Sequence, residues 1–343
     1  MYKMKKSLKV ILFIVTVILV LAFAAGLIIN SKLNRLGAEK ETQVIDADGS
    51  AFEESGTEVP EGLEFSMPDT LIPENRKIAN ILLLGTDLRV SNSSDIGRAD
   101  CNMVVSLNRK TGDIKLISFE RGIFVPVPAG LMPDGSNTDI LTHAYHWGGP
   151  ELSEKIVSEC FNIKLLGYVQ ADFEAFEKAV DAVGGVDIEL TETESNALNG
   201  YVYTNTYPLD RVVSPGLNHL NGYETLQYCR LRYTDDDWHR QERQRTAIKA
   251  LAAGVKGLNA KELNSLFNEV IGMVNTDIPK KDLAGLIVNA PKFLGKDIQS
   301  LQVPDKNWFN GYIECDFGYE SKKISNFVYG TNYKLECPYK NPA

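Results

Sequence analysis

The 343-residue chain has no Gly-x-x-x-x-Gly-Lys loop to cradle a nucleotide and no serine nucleophile elbow. A P-loop NTPase and an α/β-hydrolase are excluded on that ground. Cys-x-x-Cys is absent as well, so the five cysteines, Cys101, Cys160, Cys229, Cys315 and Cys337, form no zinc pattern. Cys315 and Cys337 flank a polar, aromatic stretch and are the best candidate disulfide pair; Cys160 reads as a buried hydrophobe. There is no internal repeat. No basic patch precedes a recognition helix, so nucleic acid is not an expected partner.

Long apolar runs are scarce too, with one exception. Val10 to Ile29 is apolar except for Thr16, and only this stretch is long enough to span a bilayer. Lys3, Lys5, Lys6 and Lys9 precede it, which puts the N-terminus in the cytoplasm and the rest outside. Ala22-Phe23-Ala24 loosely fits a cleavage site, but the run exceeds a signal h-region, so an uncleaved anchor is the reading preferred. The chain is thus expected in the cell membrane as a single-pass protein with its domain extracellular. The net charge of −9 is concentrated: residues 39–64 hold nine carboxylates against Lys40 alone. Lacking hydrophobic periodicity, this segment reads as a disordered, self-repelling stalk.

From Ile78 the pattern changes. Ile78–Gly85 reads as a buried strand running into Gly85-Thr86-Asp87. Asn102–Leu107 and Asp113–Phe119 form a hairpin across the turn Asn108–Gly112. Leu152–Phe161 and Phe173–Val183 have helical spacing, and Leu165–Val169 and Val186–Leu190 read as strands. Residues 191–215 read as a polar surface excursion. Leu220–Leu231 reads as a short helix, Trp238–Gly257 as a long one capped by Asp236 or Asp237, and 260–300 as helical again. The final stretch shows no period. Strands alternating with helices, with a hairpin inserted, predict a layered α-β-α domain around a central mixed β-sheet, plus one N-terminal transmembrane helix. The divisions are a cytoplasmic tail 1–9, an anchor 10–30, a stalk 31–77, a catalytic domain 78–305 and a C-terminal tail 306–343.

Six arginines fall at the ends of these elements: Arg89, Arg98, Arg121, Arg230, Arg232 and Arg240. A guanidinium fork makes bidentate bonds to phosphate oxygens that a lysine does not reproduce. Asp87 and Asp100 stand among them, and two carboxylates in an arginine field point to Mg²⁺, which completes its shell with water and substrate phosphates. On the long helix Arg240, Gln244, Ala247, Leu251 and Val255 share one face, so Arg240 and Gln244 point to the rim of the core. Arg245 and Lys249 fall on the opposite, solvated side; Arg243 lies beside the stripe and is left open. His143, in Thr-His-Ala-Tyr, reads first as a structural histidine and second as a catalytic one.

These segments resemble the LytR-CpsA-Psr family of bacterial cell-wall proteins. The matching pieces run in order: Leu83-Leu84-Gly85-Thr86-Asp87-x-Arg89, Arg98-x-Asp100, Ser118-Phe119-x-Arg121, His143-Ala144-Tyr145 with Gly148-Gly149, Val180 to Val186, Leu220-Asn221-Gly222, and Arg230-x-Arg232 leading to Arg240-x-x-x-Gln244. They cover roughly residues 78–255. The resemblance implies transfer of an anionic glycopolymer, of wall teichoic acid or capsule type, from a polyprenyl diphosphate carrier to peptidoglycan through a phosphodiester. It implies Mg²⁺ on Asp87 and Asp100 and a pyrophosphate held by Arg89, Arg98, Arg121, Arg230, Arg232 and Arg240 with Gln244. Arg121, Arg230 and Arg232 stand closest to the chemistry. A polyprenyl chain then needs an apolar pocket between sheet and helices, for which Ile156, Phe173, Phe176, Val180, Leu226 and Leu251 are the candidate walls. One departure concerns mechanism: the family usually has Asp after the third arginine, where this chain has Gly122. The general base is therefore unassigned. A polyprenyl-pyrophosphate hydrolase and a non-catalytic lipid-pyrophosphate receptor are the alternatives. Thr142, where Asn is common, is a milder change.

Overall fold

The computed structural model describes residues 64–69, 75–86, 97–202, 208–231, 237–293, 296–304, 313 and 315–339. The expected cytoplasmic tail, the anchor and most of the stalk lie outside the described residues, as do Asp87, Arg89 and Arg232. Among the described residues no helix is long and apolar enough to cross a membrane.

The first apolar run forms β1 (Ile78–Thr86), buried along nearly its whole length. A strand with apolar residues on both faces belongs in the middle of a covered sheet. Strand β1 pairs antiparallel with β2 (Ala99–Asn108) and parallel with β6 (Tyr168–Asp172). The expected hairpin joins β2 antiparallel to β3 (Ile114–Phe119). Two short strands follow, β4 (Phe124–Pro126) and β5 (Thr138–Ile140), paired with each other. Among the described residues the main sheet runs β10-β3-β2-β1-β6-β9, with β9 (Val274–Thr276) antiparallel to β6 and β10 (Ile298–Val303) parallel to β3. The sheet is mixed, as the alternation of elements predicts.

Alternate residues of β1 feed two cores. Ile81 and Leu83 face one, with Met103 and Val105 of β2. Leu82 and Leu84 face the other, with Val104. The first core is covered by α2 (Phe173–Ala182), α4 (Gly222–Arg230) and α5 (Asp237–Gly257), among others. The second is covered by α1 (Leu141–Phe161) and by a C-terminal helix. Helix α1 bends at Gly148-Gly149, where Gly149 takes a φ of 65°.

The structure differs from the sequence reading in several places. The strand expected at Leu165–Val169 starts later, at Tyr168. Within the excursion 191–215, Thr191 caps α3 (Glu192–Leu198) through a capping box, and Ala197 and Leu198 are buried in the first core. Strand β8 (Gly216–Leu220) pairs antiparallel with β7 (Val186–Leu190), so the short helix α4 begins at Gly222 rather than Leu220. The stretch 260–300 is not helical throughout. It holds α6 (Ala260–Val270), β9, α7 (Lys280–Phe293) and the start of β10. The stretch after Pro304, read as without period, contains α8 (Phe317–Tyr329), whose Phe317 and Ile324 lie in the second core. Phe65, from the end of the expected stalk, stacks on Phe317 at 5.8 Å. Cys315 and Cys337 do not pair. Cys315 turns into the core, where burial pushes its thiol well above the usual range, while Cys337 is exposed, and all five thiols are free.

Candidate functional site

Sheet register decides where the site forms. Strand β1 ends beside the start of β2, with Thr86 opposite Ala99. Strand β3 ends at the same edge, with Phe119 opposite Asn102. Parallel pairing brings the end of β6 there too, with Thr86 opposite Asp172. The residues just before or after these ends therefore meet along one edge of the sheet: Asp100, Arg121 and Asp172. The end of α4 and the start of α5 add Arg230 and Arg240.

Arg121 donates from Nη1 to Asp100 Oδ1 at 2.8 Å. Nη1 of Arg240 lies 4.0 Å from the same oxygen. Arg240 is only 3% exposed, so its charge needs an anionic neighbour, which Asp100 supplies. The Arg230 guanidinium lies 4.9 Å from the centroid of the Phe173 ring, a cation–π contact that flattens it against the wall. Asp172 caps α2 by accepting from the Ala175 N–H at 2.8 Å.

Behind this edge opens a cavity of about 260 Å³ between the sheet and α2, α4 and α5. Its walls are mostly apolar, and Asp100, Asp172, Arg230, Arg240 and Gln244 supply the polar lining. Four of the residues singled out as pocket walls line it: Phe173, Phe176, Leu226 and Leu251. Two do not. Ile156 lies on α1 in the second core, across the sheet. Val180 is fully buried in the packing of α2 rather than at the cavity surface. Of the six arginines, Arg230 and Arg240 line the cavity, and Arg121 joins them through Asp100. Arg98 is half-buried just before β2 and does not line it.

The long helix corrects one expectation. Arg245, read as solvated, is buried, and burial lowers its pKa; its Nη2 donates to Gln302 Oε1 on β10 at 3.2 Å. Lys249 does remain near solvent, donating to Ser300 Oγ at 3.3 Å. Arg243, left open by the sequence, is 2% exposed, donates to the Leu231 carbonyl at 2.9 Å and stands 3.6 Å from Glu194 Oε1. It ties α5 to α3 and to the end of α4.

Sequence reasoning missed three residues. Asp172 had a usable signal, an aspartate between an apolar run and a helical period. Cys101 and Cys229 also line the cavity, and no pattern marks them. Burial pushes the Cys101 thiol up to about 11, although Arg240 opposes the shift. Gly122 has a local reason: a Cβ there would stand 3.0 Å from Ile313 Cδ1. Glu120 beside it is buried and accepts from the Gln241 side chain on α5. A carboxyl of strongly raised pKa, Glu154, lies away from this edge. Burial, then Asp277 and Glu151, raise it to about 7 at the opposite end of β6.

The LytR_cpsA_psr family model matches residues 30–331 of the chain. Among curated proteins, the polyisoprenyl-teichoic acid–peptidoglycan teichoic acid transferase TagT of Bacillus subtilis is 28% identical over 304 residues, which is 88% of this chain and 86% of TagT. The correspondingly named TagU of Oceanobacillus iheyensis is 30% identical over 225 residues, 63% of this chain; the match spans 64% of the length of that relative. Among solved structures, a LytR-CPS2A-psr family protein, YwtF (TagT), with bound octaprenyl pyrophosphate lipid shares the fold. The TM-score is 0.55 at 24% identity, covering 78% of this chain and 97% of that one.

Proposed function

The chain belongs to the LytR_cpsA_psr family, and from that premise we propose that it transfers an anionic glycopolymer from a polyprenyl diphosphate carrier to peptidoglycan. The product is a phosphodiester, and polyprenyl phosphate leaves. The observation that carries this reading is an apolar cavity lined also by Arg230, Arg240 and Asp100. A polyprenyl diphosphate has the same two-part chemistry. Its hydrocarbon needs continuous apolar burial, worth roughly 0.8 kcal/mol per buried CH₂. Its diphosphate needs bidentate cationic donors.

In this reading Phe173, Phe176, Leu226 and Leu251 hold the first isoprene units. Arg230 and Arg240, with Gln244, fix the diphosphate at the mouth, and Arg121 reaches it from the end of β3. Arg89, Arg98 and Arg232 complete the cationic field. Transfer at phosphorus depends mainly on positioning and charge stabilisation, and arginines already in place need no reorganisation when charge develops on the leaving phosphate.

Asp100, with Asp87, would hold Mg²⁺. The Asp100 carboxylate lines the mouth, and its side chain is 32% exposed. Among the described residues no three His, Cys, Asp or Glu side chains cluster as a metal cage. That donor set suits an ion that takes one or two carboxylates and fills its shell with phosphate oxygens and water. When bound, the ion supplies charge neutralisation on the diphosphate. The same reading anchors the chain through residues 10–30, with the domain outside the cell beside its lipid carrier.

The test uses the full-length chain in proteoliposomes with a polyprenyl-diphosphate oligosaccharide donor and a peptidoglycan glycan acceptor. Acceptor-dependent release of polyprenyl phosphate, with the oligosaccharide recovered on the acceptor, is expected. Release at the same rate without acceptor would make the protein a hydrolase. Tight donor binding with no release would make it a receptor.

A further inference from the structure

Displacement at phosphorus places the incoming oxygen roughly in line with the leaving one. In the proposed reaction the leaving polyprenyl phosphate occupies the cavity on the face of the sheet covered by α2, α4 and α5. The acceptor hydroxyl therefore arrives from the side on which α1 lies. The first turn of α1 reaches the site from that side. Thr142 donates its backbone N–H to the Arg121 carbonyl at 3.0 Å and its hydroxyl to the Ala99 carbonyl at 2.9 Å. It is thereby bonded to Arg121 itself and to the residue before Asp100. The next residue is His143.

The His143 ring is held from behind. Its Nδ1 lies 2.9 Å from Asp139 Oδ1 on β5. Asp139 is itself fixed: Oδ1 accepts from the Ile140 N–H at 2.7 Å, and Oδ2 accepts from Trp147 Nε1 at 2.6 Å. Burial works to raise the Asp139 pKa, but the bonds from His143 and Trp147 outweigh it and hold the carboxyl below its ordinary range. An ionised carboxylate accepting from Nδ1–H fixes the tautomer in which Nε2 carries the lone pair. Among the described residues Nε2 has no hydrogen-bond partner, and the side chain is 27% exposed. A nucleophile's base oriented by a third group, with one face open, is the arrangement general-base catalysis requires.

We propose that His143 is the general base of the transfer, oriented by Asp139. Nε2 takes the proton of the acceptor hydroxyl while that oxygen bonds to the polymer-side phosphorus. The bond from this phosphorus to the bridging oxygen breaks, and its electron pair leaves on polyprenyl phosphate. The assignment rests on the transfer reading above. It supplies the base that Gly122 cannot. Charged groups beside this turn include Asp139 from β5, Arg121 after β3, Arg98 just before β2 and Asp100 on it; β6 and α8, which also pack on α1, carry Asp172 and Glu320, Lys322 and Lys323.

The experiment measures kcat against pH, and donor affinity separately, for the full-length chain with donor and acceptor as above. His143→Gln keeps the ring's volume and removes its basicity. It is expected to lower kcat on the order of a hundredfold and to abolish the acidic limb of the pH profile, while donor affinity changes less than about twofold. Asp139→Asn should lower kcat by less than His143→Gln, because it loosens the aim and tautomer of the imidazole but leaves the base in place. A His143→Gln protein with the wild-type rate and acidic limb overturns the assignment. So does one whose donor affinity falls in step with kcat, which would mark the dyad as a staple between β5 and α1. Equal release of polyprenyl phosphate by the wild type with and without acceptor defeats the transfer reading instead. The base is then judged by the same variant-to-wild-type ratio for attack by water.

Discussion

One oxygen of Asp100 accepts from Arg121 and lies 4.0 Å from Arg240, so a single carboxylate links the end of β3 to the start of α5. This arrangement serves either to aim two arginines or to share a cation with Asp87, and the two roles respond differently to Mg²⁺. Asp100→Asn should lower turnover at least about tenfold, roughly 1.4 kcal/mol in the barrier, and excess Mg²⁺ should restore part of it. Titration of wild-type turnover with EDTA is the check; full activity after chelation would leave Asp100 as an arginine partner alone. At this scale the sequence was informative because residue chemistry is local. Arginine in place of lysine, and aspartate between two arginines, can be read without coordinates. What Arg243 and Arg245 do could not be read. Both are buried by neighbours distant in sequence, Glu194 in one case and Gln302 in the other.

Helix α4 carries Arg230 at its last residue, so its packing sets the position of the cavity mouth. Its first residue, Gly222, donates its N–H to Asp181 Oδ1 at 2.7 Å. A Cβ at that position would fall 2.2 Å from the Glu177 carbonyl oxygen on α2. Backbone against backbone leaves no flexible atom to move aside. Gly222→Ala should therefore cost about 1–3 kcal/mol of stability and displace α4 from α2. A lower urea midpoint together with weaker donor binding is the expected result. An unchanged midpoint would mean that the two helices separate without penalty. Helices such as α2 and α5 were legible because their apolar spacing is long enough to show a period, whereas α3 and α8 were not read. Strands such as β9, Val274–Thr276, were not, since three residues cannot display alternation.

Across the whole molecule, the second core is closed by parts of the chain far apart in sequence. Phe119 meets Phe161 at 4.4 Å between ring centroids, and Phe161 meets Phe317 edge-on at 5.3 Å. Phe317 is fully buried, and Phe65 stacks on its other side. Helix α8 thus behaves as part of the domain rather than as a tail. Phe317→Ala should destabilise the fold by about 3–5 kcal/mol, read as a lower melting temperature, although the residue is remote from the arginines. A melting temperature within error of the wild type would return the stretch after residue 304 to the status of an appendage.

Strands β1, β2 and β3 and the apolar face of α5 were determined by the sequence alone, because each depends on residues close together in the chain. Only the tertiary structure decided which side of the sheet each helix covers. The apolar stripe of α1 has the same period whichever face it packs on, so Ile156 was legible as buried but not as lying across the sheet from the cavity. The same placement brings the first turn of α1, through Thr142, to Arg121 and to the residue before Asp100. That juxtaposition depends on β6 pairing parallel with β1 while α1 and α2, on either side of β6 in the chain, pack on opposite faces. No local pattern of residues encodes it.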